Sequence, residues 1–505
     1  MQEINSTMPF VLVLIPALCA LVIAISGKQK GFLREGISIL AIILTLIISV
    51  YFVITTLFNG DNTVIFTAFS RNVFIDGFGS MMAFLINVLL LVIVIYSITY
   101  MKSAVDSGEI EDSRLRSYYA LVMTFNATMM LTVISNHLIM LYISVEASTL
   151  ATALLVCFFK NRRGLEAAYK YILLIVVGIA FALMGCVLLY SSVVPDITGH
   201  NALLLTEIGK VANRVPHSIA IIAVACFIIG FGTKGGLIPF HAWLPDAHAE
   251  APAPISALLS GLIIKIGAYA FARTVVIFSP HYNIIVIYVS IIACISMFLG
   301  ILLAFAQDDI KRLLAFSSIS QISYVFGGLG LGSYVGIYGG LFHLINHSIL
   351  KTLLFLAAGA LMYATGTRKI SELGGLANKM PITSVCFFIG ALGISGMPLF
   401  NGFHSKFAIF VAFAQQKLWW ALAVAVGTGI LTLAVFVWTG YRIFWGKPAS
   451  DKIYNSAREI PFAMWAPMVV LSGFILLIGL YPQIVYPILN SATQSIIQIW
   501  KGVSF

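Results

Sequence analysis

Four lysines, two histidines and one glutamate stand inside long apolar runs of this 505-residue chain. They are Lys234 in CFIIGFGTKGGLIPFHAWLPDAH, Lys265 in ISALLSGLIIKIGAYAF, and His343, His347 and Lys351 in GGLFHLINHSILKTLLFLAAG. Lys406 follows in GALGISGMPLFNGFHSKFAIF, and Glu146 sits in NHLIMLYISVEASTLATALLVCF. A charge at the centre of a bilayer costs at least ~3 kcal/mol on insertion scales, so such residues mark ion or proton paths. His343, His347 and Lys351 are spaced four apart and share one stripe of a helix. Histidine titrates near neutral pH and passes protons through water, so the stripe reads as a proton relay. Glu146 is the sole carboxylate within an expected span, and a Glu146–Lys234 pair would make a switchable electrostatic gate.

Two of the lysines stand beside expected helix breaks. Lys234 is surrounded by Gly230, Gly232, Gly235 and Gly236, with Pro239 after it; proline lacks an amide and disrupts the helix behind it. Gly393, Gly396, Pro398 and Gly402 precede Lys406 in the same way. Broken helices at membrane depth are a device of ion-coupled transporters and are tolerated only beside protein or a water-filled cavity. The two breaks lie about five spans apart, which is the pattern of an inverted repeat. A polar row from the tenth span, Ser317, Ser318, Ser320, Gln321, Ser323 and Tyr324, either lines a hydrated path or glues helices together.

Several other chemistries are disfavoured. His343 and His347 have metal-ligand spacing, but no third ligand and no HExxH accompany them. The six cysteines, Cys19, Cys157, Cys186, Cys226, Cys294 and Cys386, are scattered through the spans and form no iron–sulfur or zinc framework. The glycine-rich GGLGLGSYVGIYGG, residues 327–340, is out of register for a phosphate loop and follows no strand. No cofactor is expected in this chain.

The elements that must position these residues are membrane helices. Hydrophobic residues make up 60% of the chain and charged ones 10%, far from the globular average. Hydropathy indicates about fourteen spans, roughly 8–26, 36–58, 81–101, 118–135, 137–159, 169–193, 218–240, 254–278, 283–306, 313–331, 334–364, 382–415, 418–445 and 462–481. The first lacks the basic leader and cleavage site of a secretory signal. The net charge of +10 does not point to nucleic acid. Loops after odd-numbered spans carry about nineteen Lys/Arg and the other loops and termini about six, so odd loops face the cytoplasm and both termini face out. The expected fold is all-α and polytopic, with inverted repeats over helices 4–8 and 9–13 and breaks in helices 7 and 12. Residues 1–110 hold the first three helices, 111–280 the first repeat, 281–446 the second, and 447–505 the last helix and a short tail.

The stretches GFGTKGGLIPFHAWLPDAHAEAPAPISALLSGLIIKIGAYAFAR, QDDIKRLLAFSSISQISYVF, FHLINHSILKTLLFLAAGAL and ISELGGLANKMPITSVCFFIGALGISGMPLFNGFHSKF resemble the antiporter-like membrane subunits. These occur in respiratory complex I, in multisubunit cation/proton antiporters of the Mrp type and in energy-converting membrane-bound hydrogenases. The resemblance runs from about the third span to the fourteenth, and the wording HAWLPDAHAEAPAPISALLSG is nearest to hydrogenase and formate-hydrogenlyase members. It implies fourteen helices with two inverted five-helix repeats, and a hydrated polar axis at the midplane. In that axis Glu146 gates Lys234, protons pass by Lys265, His343, His347 and Lys351, and Lys406 releases them outward. Only about twenty residues follow the last span, so the long lateral helix of one branch is not expected.

The leading expectation is therefore a non-catalytic, proton-translocating subunit of a redox-driven pump in a bacterial or archaeal cytoplasmic membrane. Its partners would be further antiporter-like and small hydrophobic subunits and a peripheral iron–sulfur, hydrogenase or dehydrogenase module. The alternative is a subunit of a Na⁺/H⁺ antiporter of the Mrp type. A purely structural scaffold would carry its buried charges at a cost in stability with no return.

Overall fold

The computed structural model describes residues 2–26, 31–58, 64–197 and 199–500. The chain is a bundle of helices. In order they are α1 (Met8–Ile25), α2 (Gly31–Phe58), α3 (Gly77–Asp106), α4 (Asp112–Val133), α5 (Leu138–Val156), α6 (Arg162–Val193), α7 (Leu205–Val211), α8 (His217–Gly235), α9 (Trp243–Glu250) and α10 (Ala253–Leu258). There follow α11 (Ile264–Thr274), α12 (Asn283–Phe305), α13 (Ile310–Gly330), α14 (Tyr334–Thr365), α15 (Pro381–Ser395), α16 (Asn401–Gln415), α17 (Trp419–Phe444), α18 (Asp451–Ser456), α19 (Phe462–Leu480) and α20 (Tyr486–Trp500). Among the described residues, 12 helices are long and apolar enough to cross a membrane, taking α10 to α11 as one continuous rod. The chain is a polytopic membrane protein. The two other expected spans are present as helices of a different kind: α4 is studded with polar residues, and the twelfth span is split into α15 and α16.

Burial sorts the helices by role. The rods Ala253–Thr274 and α13 are wholly buried, whereas α1, α2 and α17 show most of their surface. Since lipid is as apolar as leucine, helices in a membrane pack through small residues and polar contacts rather than hydrophobic drive. Gly178 on α6 abuts Thr233 on α8, and Gly230 on α8 abuts Ala182 on α6, so these glycines set a close α6–α8 crossing. Gly230 and Gly232 thus lie within α8 rather than in the break.

Both expected breaks exist, and both close in the same way. Helix α8 stops at Gly236, which takes a left-handed conformation with φ 78°, and the amides of Gly236 and Leu237 return to Thr233 O and Gly232 O. Helix α15 stops at Gly396, φ 85°, with the amides of Gly396 and Met397 returning to Gly393 O and Leu392 O. Positive φ is what glycine permits at little cost, and this pairing is the Schellman closure. Pro239 and Pro398 follow within three residues and keep the helices from resuming. A third irregularity was not foreseen. Residues Leu259–Ile263 form a π turn between α10 and α11, one turn before Lys265.

Two elements differ from expectation. A three-stranded sheet, β1 (Gln2–Asn5), β2 (Val64–Ala68) and β3 (Val73–Ile75), covers the end of the bundle where α1 begins; β1 and β2 run parallel and β2 and β3 antiparallel. The C-terminal tail is not featureless but forms α20, which packs on α3, where Ser495 Oγ accepts the Gly77 amide at 3.1 Å.

Candidate functional site

The loops after the seventh, ninth and eleventh expected spans meet on one face, together with the start of α6. Asp246 on α9 binds Lys170 of α6 at 2.5 Å and Arg312 of α13 at 3.2 Å. Arg368, after α14, binds Glu250 at 3.0 Å and Asp309 at 2.6 Å. These ion pairs fasten α9, the short helix after the first break. Trp243 adds a hydrogen bond from Nε1 to Thr233 O at 2.9 Å, which ties the two sides of the break together.

Lys234 is fully buried where α8 ends. Its ammonium donates to Thr149 Oγ1 of α5 at 2.7 Å and reaches Tyr171 OH of α6 at 3.5 Å. Tyr171 in turn shares a 2.7 Å hydrogen bond with Thr152. The expected partner, Glu146, is half-buried and makes no ion pair with Lys234 within 4.0 Å. It lies three residues before Thr149 and therefore on the same helical face, one turn from the hydroxyl that holds the lysine. Its Oε2 is buried without a hydrogen-bond partner.

Lys265 is buried on α11 and donates to the carbonyl of Ser260 in the π turn. The wider turn presents a backbone oxygen that an α-helix would use internally. The Ser260 hydroxyl shares a 2.8 Å hydrogen bond with Ser318 of α13. The neighbouring Ser317 accepts from Lys351 Nζ at 2.5 Å, and Lys351 also donates to Leu314 O at 2.9 Å. Its ammonium lies 5.5 Å from the ring centre of Phe436. A polar line therefore joins the α10–α11 rod to α13 and α14.

The stripe on α14 continues that line. The rings of His347 and His343 lie nearly parallel, 8° apart, with centroids 6.0 Å apart. His343 Nδ1 shares a 3.0 Å hydrogen bond with Ser405 Oγ, one residue before Lys406. His343 Nε2 and both nitrogens of His347 have no partner, though both residues are fully buried. Asn346 donates to Asn401 O at 2.8 Å, tethering the stripe to the second break. Lys406 donates to the free carbonyls at the end of α15, Ile394 O at 2.9 Å and Ser395 O at 3.3 Å, and stands 5.0 Å over the ring of Tyr324. The last carbonyls of a helix have no intrahelical partner, which is what leaves these two for an ammonium.

Some residues of this neighbourhood escaped the sequence reading. Lys311 falls in the loop between the expected spans 283–306 and 313–331, yet only 1% of it is exposed, and it donates to Ala249 O and Ala251 O at the end of α9. His248, from the same HAWLPDAH stretch as the first break, is fully buried, stacked on Phe355 at 4.6 Å, and has no partner on either nitrogen. Neither has a signal in its own flanks, because both are buried by helices distant in sequence. Asp76 and Arg273 form a bidentate pair at 2.6 and 2.8 Å with both side chains 1% exposed. Phe74, Phe78 and Tyr269 surround the guanidinium, and Asp76 also caps α3 by accepting the Gly79 amide at 2.8 Å. This pair pins the far end of the Lys265 helix to α3.

Comparison with known proteins agrees with this architecture. Residues 135–432 match the family model described as NADH:quinone oxidoreductase/Mrp antiporter, transmembrane. The chain is 34% identical over 362 residues to a hydrogenase-4 component F homolog of Methylacidiphilum infernorum, covering 71% of this chain and 75% of that one. It is 30% identical to Na⁺/H⁺ antiporter subunit A1 of Staphylococcus aureus, over 96% of this chain but 62% of that longer subunit. Among solved structures it superposes on a chain of the Mrp complex from Dietzia sp. with a TM-score of 0.86 at 23% identity, covering 99% of this chain and 98% of that one. It superposes on a chain of respiratory complex I from Thermus thermophilus with a TM-score of 0.76 at 24% identity, covering 94% and 98%. A chain of the membrane-bound sulfane sulfur reductase, an archaeal respiratory complex, gives 0.85 at 24%, with 99% of both chains covered. From the family match and the hydrogenase-type relative together, the chain belongs to the NADH:quinone oxidoreductase/Mrp antiporter transmembrane family.

Proposed function

We propose that this chain moves protons along the buried line from Glu146 and Lys234, past Lys265, Lys351, His347 and His343, to Lys406, as one subunit of a larger redox-driven membrane complex. One observation carries the reading. Seven ionisable side chains lie within α5, α8, α11, α14 and α16, all but Glu146 fully or almost fully buried, and separate polar contacts tie Ser260 beside Lys265 to Ser318, Lys351 to Ser317, and His343 to Ser405, the residue before Lys406. Free ring nitrogens on His343 and His347 can accept or give a proton through bridging water, which a packed core histidine could not do. Glu146 acts on Lys234 through Thr149 and across one helical turn, a spacing at which a change in either charge is felt by the other. His248 and Lys311 lie between the ion-paired face and this line, and we assign them the inward approach.

The same reading includes fourteen spans in two inverted repeats, with the repeats over residues 111–280 and 281–446. The matched Schellman closures at Gly236 and Gly396, each within eleven residues of a buried lysine, support it. By the distribution of Lys and Arg, the ion-paired face is cytoplasmic and both termini are outside; the bacterial and archaeal origin of the relatives favours a bacterial or archaeal cytoplasmic membrane. The hydrogenase-type relative favours a peripheral iron–sulfur or hydrogenase module as the source of energy. The S. aureus relative favours the alternative, Na⁺/H⁺ exchange without a redox module. The experiment is purification of the intact complex in mild detergent, followed by reconstitution. Co-purifying redox subunits support the pump, and membrane subunits alone support the antiporter. Normal ion transport in both Lys234→Ala and Lys406→Ala complexes would defeat the relay under either driving force.

A further inference from the structure

Away from these residues, α1, α4 and α5 line an open groove of about 710 Å³. Its wall is mostly apolar, with Ala17, Ala20, Ala120 and Ala127 set between the leucines Leu121 and Leu131. Arg116 and Ser117 close one end. There it meets a second recess of about 1080 Å³, with which it shares Ser117, Leu121 and Leu154. Arg114 and Lys160 line that recess, together with Glu109 and Glu111. From Arg116 to Leu131, α4 rises about 22 Å at ~1.5 Å per residue. One leaflet of the hydrocarbon core is about 15 Å, half of ~30 Å, so the groove is long enough for a whole acyl chain.

The charges at its mouth are arranged for an anion. Arg114, Arg116 and Lys160 make no ion pair among the described residues, although two carboxylates stand beside them. Arg114 is held in place by its stack on Phe158, 4.8 Å from the ring centre, and by a hydrogen bond to Phe158 O. Arg116 is exposed and spends one Nη on Ser26 O at 3.1 Å. That leaves further guanidinium donors in the fork that matches a phosphate. The mouth lies at the end of the bundle that the charge bias assigns to the inner leaflet, where basic pockets between helices bind anionic headgroups.

We infer that this groove is a binding site for one anionic phospholipid, with an acyl chain along the alanine wall between α1 and α4 and its phosphate on Arg116 and Arg114. The inference depends on the membrane orientation given above but not on proton transfer, so loss of either leaves the other standing. The test is native mass spectrometry of the intact complex, delipidated and then exposed to phosphatidylglycerol or phosphatidylcholine. The wild type should retain phosphatidylglycerol preferentially. Arg116→Gln should weaken that retention about tenfold, the worth of one charge-assisted contact. Ala120→Trp, which fills the groove and keeps the charges, should abolish it. Equal retention of both lipids, or unchanged retention in both variants, overturns the proposal. So does a photo-crosslinker at Ala120→Cys that labels a partner subunit in native membranes, since a protein helix would then occupy the groove.

Discussion

Replacing Lys234 by methionine separates a transport role from a structural one. The substitution keeps an unbranched stem of similar volume, so little cavity is created where the residue is fully buried. It deletes the ammonium and its 2.7 Å hydrogen bond to Thr149. A hydrogen bond to a charged group contributes about 1.5–3 kcal/mol. Against that stands the cost of holding an ammonium at membrane depth, at least ~3 kcal/mol on insertion scales. The groups left behind are not orphaned: Thr149 Oγ1 is 3.4 Å from Val145 O, and Tyr171 keeps Thr152 at 2.7 Å. Relief of the buried charge returns at least as much as the lost hydrogen bond costs, so stability should not fall while coupled transport is lost. The assay is the thermal midpoint and subunit content of the purified complex, alongside ion transport in proteoliposomes. Retained transport would refute the relay. A collapse of assembly would refute the claim that Lys234 is dispensable for the fold.

Four further outcomes follow from the same geometry. Glu146→Gln should impair transport without lowering the thermal midpoint, because its Oε2 has no partner to lose; full transport in proteoliposomes would exclude the gate. Asp76→Asn should destabilise the protein by about 3–5 kcal/mol in chemical unfolding, as it leaves Arg273 buried without its counter-charge. Replacing both members with apolar residues should recover much of that loss. Gly402→Ala should disturb the second break, since the added methyl would land on Gly393 O, and a lowered midpoint with reduced transport is the expected readout. Lys311→Met should slow transport more than it lowers stability if Lys311 serves the inward approach; the comparison of transport rate with thermal midpoint decides it.

The placement of helices, their number to within a few, and the two breaks could be read from single stretches of chain. A run of apolar residues long enough to span a bilayer has few other stable conformations, because unpaired backbone groups cannot stay in hydrocarbon. Gly–Pro punctuation likewise acts locally, so the ends of α8 and α15 fell where the glycines stand. The same locality made the candidate relay residues legible: a lysine inside an apolar run carries its own warning. What needed the tertiary structure was everything set by helices distant in sequence. Lys311 looked like a loop charge until the end of α9 closed over it, and His248 looked like a loop residue until Phe355 stacked on it. Asp76 and Arg273 lie 197 residues apart, and no pattern in either flank announces the pair. Glu146 and Lys234 were expected to pair, but Thr149, one turn further along α5, holds the ammonium instead. Residue types and spacing determined which groups could carry protons; the packing of helices distant in sequence decided which of them meet.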